Sequence, residues 1–281
     1  MESHFGLSAH HLCRLSGVHE VSFFFILKAL LRLLTRALRD YRLIDDGDHV
    51  LVALSGGKDS LCLLQLLAER QHIYPPRFQL SAVHVRMENI DYETDTAYLE
   101  DFCQRLGVPL HILTTSFETT PDAVSTSSSL QTAVPSQASI SHKQKTPCFL
   151  CSWNRRKQIF NLAQQLGCSK IALGHHQDDI LHTALMNLTF QGRFGSMPVM
   201  LKMKKMPLTI IRPLCLCHEE DIRAFAEEQH YQPLRKLCPY DSDTHRTSIR
   251  SIYQQMESLN PELRYSLWHA LEREGKLIEV S

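Results

Sequence analysis

Six consecutive residues, Ser55-Gly56-Gly57-Lys58-Asp59-Ser60, combine two hydroxyl pairs of donors and acceptors, two glycines, a cation and a carboxylate. They follow the apolar run His49–Leu54 (HVLVAL) and open the leucine-rich stretch Asp59–Gln71. Glycines let the backbone bend sharply and approach an anion. A helix start adds unpaired N–H donors and a positive dipole end. Ser55 and Ser60 contribute hydroxyls, Lys58 contributes charge, and Asp59 can help hold magnesium on phosphates. The chemistry is phosphate binding. It differs from a Walker A loop, which needs Gly where Val52 stands and Ser or Thr where Asp59 stands.

Two cysteines, Cys148 and Cys151, lie in Pro147-Cys148-Phe149-Leu150-Cys151. At the entrance to a helix this spacing puts both sulfurs on one side of the first turn. The helix amino end and the following Arg155, Arg156 and Lys157 favour thiolate over thiol. Such a pair suits a redox couple, half a zinc site, or two ligands of an iron–sulfur cluster. Nine cysteines is an odd count in a long chain, so a disulfide scaffold is not expected.

His175-His176-Gln177-Asp178-Asp179 closes another apolar segment, Lys170–Gly174. Asp178 or Asp179 can hold magnesium or assist proton transfer. An acidic helix start is the structural alternative, because the dipole favours it.

The elements that must position these groups alternate. Strands are expected at His49–Leu54, Gln79–Arg86, Val108–Thr114 and Lys170–Gly174. Helices are expected at 21–42, Asp59–Gln71, Asp91–Leu106, Phe149–Leu166 and from Asp178 to about Phe190. Alternation of this kind gives an α/β parallel sheet, which binds ligands at the carboxyl ends of its strands. Residues 1–20 read as a loose extension and 21–44 as a basic amphipathic helix. Residues 45–215 form the nucleotide domain, interrupted by a Ser/Thr-rich insertion at 117–146. Residues 216–281 read as a helical C-terminal part, with helices at Glu219–Gln229, Thr244–Met256 and Pro261–Glu274.

The 281 residues are 43% hydrophobic and carry zero formal net charge, which excludes disorder of the whole chain. The longest apolar run, Val21–Leu34, is interrupted by Lys28 and Arg32, so no membrane span is expected. A cytoplasmic protein with reduced thiols follows as the expectation. The zero net charge hides segregation. Residues 123–218 carry eleven Lys or Arg against two acids, so that third is strongly basic and the remainder acidic. An anionic partner, nucleic acid foremost, fits this pattern. Candidate phosphate contacts are Lys28, Arg32, Arg36 and Arg39 on the first helix, with Arg155, Arg156, Lys202, Lys204 and Lys205.

SGGKDS resembles the pyrophosphate loop of the ATP pyrophosphatases, which split ATP between the α and β phosphates. PCFLCSWNRR, KIALGHHQDD, RPLCLCHEEDIRAFA and Cys238 follow in order. Together they resemble the bacterial TtcA-type tRNA 2-thiocytidine synthetases over roughly residues 25–256, the insertion apart. The resemblance implies a Rossmann-like adenine nucleotide α-hydrolase (PP-loop) fold, ATP and Mg²⁺. It implies ATP on Ser55–Ser60, with the base near His84 and Val85, and His175 at the nucleotide site. Asp59, Asp178 and Asp179 take the catalytic roles. The resemblance further implies a [4Fe–4S] cluster on Cys148, Cys151 and Cys238, with sulfide on an open iron attacking an adenylated cytidine 32 of tRNA. Zinc, with Cys215, Cys217 or a histidine as fourth ligand, is the competing metal. The implied partners are tRNA and a sulfur donor (a cysteine desulfurase or sulfide), with a homodimer. Adenylation of another RNA base or a small molecule, and a nucleotide-sensing RNA-binding module, are the rival readings. The insertion and Arg235, where many members carry a further cysteine, are departures.

Overall fold

A computed structural model describes residues 9–72, 75–92, 94–117, 146–234, 236–238 and 244–280, with side chains of the first helix described from residue 25. The insertion expected at 117–146 therefore lies almost entirely outside the described residues, as do residues 1–8. Eight helices appear among the described residues: α1 (Ala9–Asp40), α2 (Lys58–Gln71), α3 (Ala97–Arg105), α4 (Pro147–Gln165), α5 (Gln177–Gln191), α6 (Glu219–Glu228), α7 (Thr244–Leu259) and α8 (Leu263–Arg273). The strands are β1 (His49–Ala53), β2 (Gln79–Met87), β3 (Asp91–Tyr92), β4 (Leu110–Thr115), β5 (Lys170–Ala172), β6 (Met200–Lys202), β7 (Thr209–Ile211), β8 (Lys236–Leu237) and β9 (Ile278–Val280).

The main sheet has the order β4-β2-β1-β5-β7-β6-β9. The expected parallel core is present: β1 pairs in parallel with β2 and β5, β2 with β4, and β5 with β7. Only β6 runs antiparallel to its neighbour β7. Alternation along the strands divides the core in two. Val50, Val52, Leu80 and Ala82 face the larger cluster, while Leu51, Val83 and Val85 face the smaller one under α4. Covered on both faces, such strands read as continuous apolar runs. On the first helix Leu30, Leu34, Leu38 and Tyr41 are buried, with Leu27 and Leu31 partly buried beside them. No helix among the described residues is long and apolar enough to cross a membrane.

Three expectations are corrected, and one group of candidate residues is placed apart from the others. The first helix begins at Ala9, not at residue 21. The helix expected from Asp91 begins at Ala97, because Asp91–Tyr92 is a strand pairing antiparallel with Lys236–Leu237. The C-terminal part is not wholly helical, since β9 extends the main sheet beside β6. Finally, Lys202, Lys204 and Lys205 belong to β6 and the turn leading to β7. Lys202 registers with Thr209, and Thr209 with Lys170, the first residue of β5. That turn therefore sits at the amino edge of the parallel strands, opposite the edge that binds ligands.

Candidate active site

The phosphate loop links β1 to α2 and is held by its own short side chains. The Ser55 and Ser60 hydroxyls lie 3.1 Å apart. Ser55 Oγ accepts from the Gly57 amide, and Ser60 Oγ donates to the Gly57 carbonyl at 2.9 Å. Gly56 has φ +85°, and a Cβ there would lie 2.5 Å from Leu234 Cβ. Only glycine meets both demands. The backbone also bridges at this point, since the Leu234 amide donates to the Gly56 carbonyl at 2.9 Å. Lys58 Nζ lies 2.9 Å from Asp59 and 3.5 Å from Glu219.

The Gly174–Asp179 segment closes over the same helix start. A Cβ on Gly174 would come within 3.0 Å of the Ser60 amide nitrogen, so the two loops touch backbone to backbone. Buried His176 stands 3.5 Å from Asp178 and from Asp179, and 4.0 Å from Asp59. The two aspartates differ in task. Asp178 receives the Glu219 amide and the Arg264 guanidinium, both at 2.8 Å. Burial alone would raise its pKa, but the His176 ring and Arg264 outweigh that and hold the carboxyl well below the usual carboxylate range. Asp179 accepts from the His176 backbone amide at 3.2 Å, an ordinary helix start, and is more open. His175 Nδ1 accepts from Arg212 Nε at 3.2 Å. Burial and the neighbouring guanidinium push its pKa down to about 4, so the ring is neutral at pH 7 with its remaining proton on Nε2. Arg212 is fixed in turn by the Pro198 carbonyl.

His84 is buried and bonds the Leu54 carbonyl at 2.8 Å, bracing β1 just before the loop. Val85 lies in the smaller core. Beside Asp178, a cleft of about 480 Å³ runs between α5, α6, α7 and α8, lined by His182, Glu219, Arg223, Arg250 and Arg264 among others. Glu219 joins the two regions by pairing with both Lys58 and Arg250. Composition and spacing did not reveal Glu219, Arg212, Arg250 or Arg264. Their partners are far away in the chain, and no local pattern announces them.

The cysteines gather at the carboxyl ends of β2 and β4. Thr146 caps α4, its hydroxyl accepting from the Phe149 amide, and Pro147 occupies the first turn. Met87, Ile90 and Phe117 form a small apolar cluster, against which Tyr92, Leu150, Cys151 and Cys238 all pack. The β3–β8 pairing delivers Cys238 there, directly after Leu237. Leu234, which rests on Gly56, lies only four residues before Cys238, a reach of at most about 14 Å. The phosphate loop and the cysteine cluster are thus neighbours on one edge of the sheet. Cys148 is exposed one turn earlier on α4. The remaining described cysteines are buried: Cys62, Cys103, Cys215 and Cys217 in the larger core and Cys168 in the smaller. Cys215 and Cys217 are therefore not at hand as zinc ligands. Among the described residues no three His, Cys, Asp or Glu side chains stand close enough to grip a single metal ion.

The basic candidates divide. Arg155 turns inward, with Nη2 3.8 Å from Cys151 Sγ. Arg156 is exposed and donates to the Ser152 carbonyl. Arg36 and Arg39 both pair with Asp40 at the carboxyl end of α1, while Lys28 and Arg32 lie earlier on that helix. Nothing brings Lys202, Lys204 or Lys205 to this edge.

A PP-loop domain model matches residues 28–138. The chain is 35% identical over 246 residues to the tRNA-cytidine(32) 2-sulfurtransferase of Alkalilimnicola ehrlichii, covering 87% of this chain and 73% of that one. It is 36% identical over 248 residues to the enzyme of the same name from Marinomonas sp., covering 87% and 82%. Among solved structures it resembles the U34-tRNA thiolase NcsA from Methanococcus maripaludis, solved with its [4Fe–4S] cluster. That match has 25% identity and a TM-score of 0.64, and covers 88% of this chain and 78% of the other. With the loop geometry, the parallel sheet and these likenesses in agreement, the chain belongs to the tRNA-cytidine(32) 2-sulfurtransferases, a family of PP-loop tRNA-thiolating enzymes.

Proposed function

We propose that the chain uses ATP to adenylate the O2 oxygen of cytidine 32 in tRNA and then replaces that oxygen with sulfur. The observation that carries this reading is the Leu234–Gly56 contact, which ties the phosphate loop to the segment that presents Cys238 beside Cys151. A nucleotide-activating loop and a thiol cluster on one edge suit a reaction that first activates an oxygen and then expels it.

The loop amides at the start of α2 and the hydroxyls of Ser55 and Ser60 receive the phosphates. Lys58 exchanges its bond to Asp59 for the β and γ oxygens. This frees the Asp59 carboxylate, which together with the more open Asp179 would hold Mg²⁺ to offset the phosphate charge. Asp178, already committed to Arg264 and the Glu219 amide, positions the start of α5 and the cleft wall. Neutral His175, its tautomer fixed by Arg212, offers an Nε2–H donor to the nucleotide. The cytidine O2 attacks the α phosphorus and pyrophosphate leaves. Hydrosulfide, free in solution or released from a cysteine desulfurase persulfide by two thiols that become a disulfide, then attacks C2. AMP departs with the former O2 oxygen.

Cys148, Cys151 and Cys238 suit a [4Fe–4S] cluster better than zinc. They supply three thiols, a fourth is not available from the buried cysteines, and a four-iron cube spreads its ligands wider than one ion does. Bound there, such a cluster would be held by these three thiolates and would supply sulfur chemistry beside the activated base. Arg155 adds a hydrogen-bond donor toward Cys151.

Nucleoside mass spectrometry of tRNA from cells lacking this gene tests the reading. Loss of 2-thiocytidine, with restoration by the intact chain, is the expected result. An unchanged 2-thiocytidine level overturns it and points to another acceptor for the activated phosphate.

A further inference from the structure

Two aromatic rings stand outward beside the cysteines. Phe149 is 43% exposed and Trp153 49%, and as an i, i+4 pair on α4 they share one helix face. The opposite side of the helix explains itself: Leu150 and Cys151 pack on the small apolar cluster, and Ile159, Leu162 and Ala163 are buried in the smaller core. The outward face continues into exposed Arg156 and Lys157, and Lys157 Nζ lies 5.5 Å from the Trp153 ring centroid. Across its nineteen residues α4 carries three basic side chains and neither Asp nor Glu. The charge around these rings suits an anion.

We propose that Phe149 and Trp153 form a stacking platform for an unpaired base of the RNA, adjacent to the cytidine that reacts. Flat apolar rings with cations at their rim match a nucleotide, which offers a π-face and a phosphate together. Duplex RNA keeps its faces stacked internally and offers none to such a platform. The platform lies on the helix that carries Cys148 and Cys151, so a base held there is next to the place where sulfur must arrive. The proposal rests on tRNA being the substrate, as argued above.

The chain has two tryptophans, and the other, Trp268, is only 9% exposed and donates its indole N–H to Tyr41 Oη at 3.1 Å. Trp268 therefore contributes a constant background, and a change in tryptophan emission reports on Trp153. When unmodified tRNA is titrated into the full-length protein, emission is expected to be quenched, whereas a fully paired RNA of equal length leaves it unchanged. Trp153→Phe is expected to lose the quench but to bind tRNA within about twofold of wild type, since a phenyl ring still stacks. Trp153→Ala is expected to weaken tRNA binding roughly tenfold, the size of one stacked base. Unaltered binding by Trp153→Ala overturns the platform. So does a quench by paired RNA equal to that by tRNA, or a quench by a cysteine desulfurase without RNA. If 2-thiocytidine is lost from cells lacking the gene while Trp153→Ala binds normally, the platform alone is wrong. If 2-thiocytidine persists in those cells, the function itself has been misread.

Discussion

In the phosphate loop, Ser55, Gly57 and Ser60 bond one another within six residues. Cys151 and Cys238, by contrast, come to one small apolar cluster only because Asp91–Tyr92 pairs with Lys236–Leu237 and three apolar side chains lie beneath them. One region is specified locally and follows β1, an interior strand of the seven-stranded sheet. The other is assembled from three distant segments by a two-residue ladder. A local site can be complete as soon as its helix forms, whereas an assembled one depends on the surrounding chain. The difference predicts that the nucleotide end tolerates damage to the cysteine end far better than the reverse.

The largest effect that would sharpen this contrast comes from Cys238→Ala. Iron content of anaerobically prepared protein and tRNA thiolation are expected to fall together. The loss should exceed the roughly tenfold to hundredfold that follows removal of an outer-shell partner. ATP binding, read by calorimetry, should be unchanged, and a variant that kept its iron would remove Cys238 from the ligand set. Gly56→Ala reverses the direction of damage. A Cβ at φ +85° and 2.5 Å from Leu234 Cβ costs about 2 kcal/mol. Because Leu234 leads to Cys238, both ATP affinity and iron retention should drop, and a loss confined to ATP would break the proposed link.

A smaller effect is expected from pH. Folded His175 resists protonation until about pH 4, whereas in the unfolded chain it protonates near 6.5. Below 6.5 the unfolded state therefore binds more protons, and stability falls as pH drops from about 6.5 toward about 4. Urea unfolding should show a loss of about 1 kcal/mol by pH 5.5, with a shallower slope in His175→Asn. An equal slope in the variant would reassign the effect to other groups. The smallest change is Tyr92→Phe. It removes the hydroxyl that accepts from the Met87 amide at 3.1 Å, worth about 1 kcal/mol. Iron should be released a few-fold faster with ATP binding untouched, and identical release rates would show that β3 does not hold the cysteine end.

How much of this was legible in the sequence follows the same division. The phosphate loop, its strand and its helix were readable because the anion-binding features are contiguous. The CxxC pair was readable for the same reason. Asp91–Tyr92 was taken for the start of a helix because a strand of two residues has no period to detect. The destination of Lys202, Lys204 and Lys205 was hidden because strand direction depends on pairing with β7, which no local pattern encodes. Arg264 and Arg212 were missed for a related reason. A guanidinium gains its role from the carboxylate or imidazole it meets, and Asp178 and His175 are contributed by another part of the chain. Cys238 came from resemblance, and the β3–β8 ladder supplies the physical reason it reaches Cys151.

The bond from the Leu234 amide to the Gly56 carbonyl also has a meaning in time. Ribosomes extend the polypeptide from its amino end, so the glycine turn emerges early and its clasp emerges late. A nascent chain cut short before residue 234 has made the turn without the clasp that fastens it. Translation thereby separates the two in time: the loop's own bonds can form early, and the clasp that ties it to the cysteine end is added later.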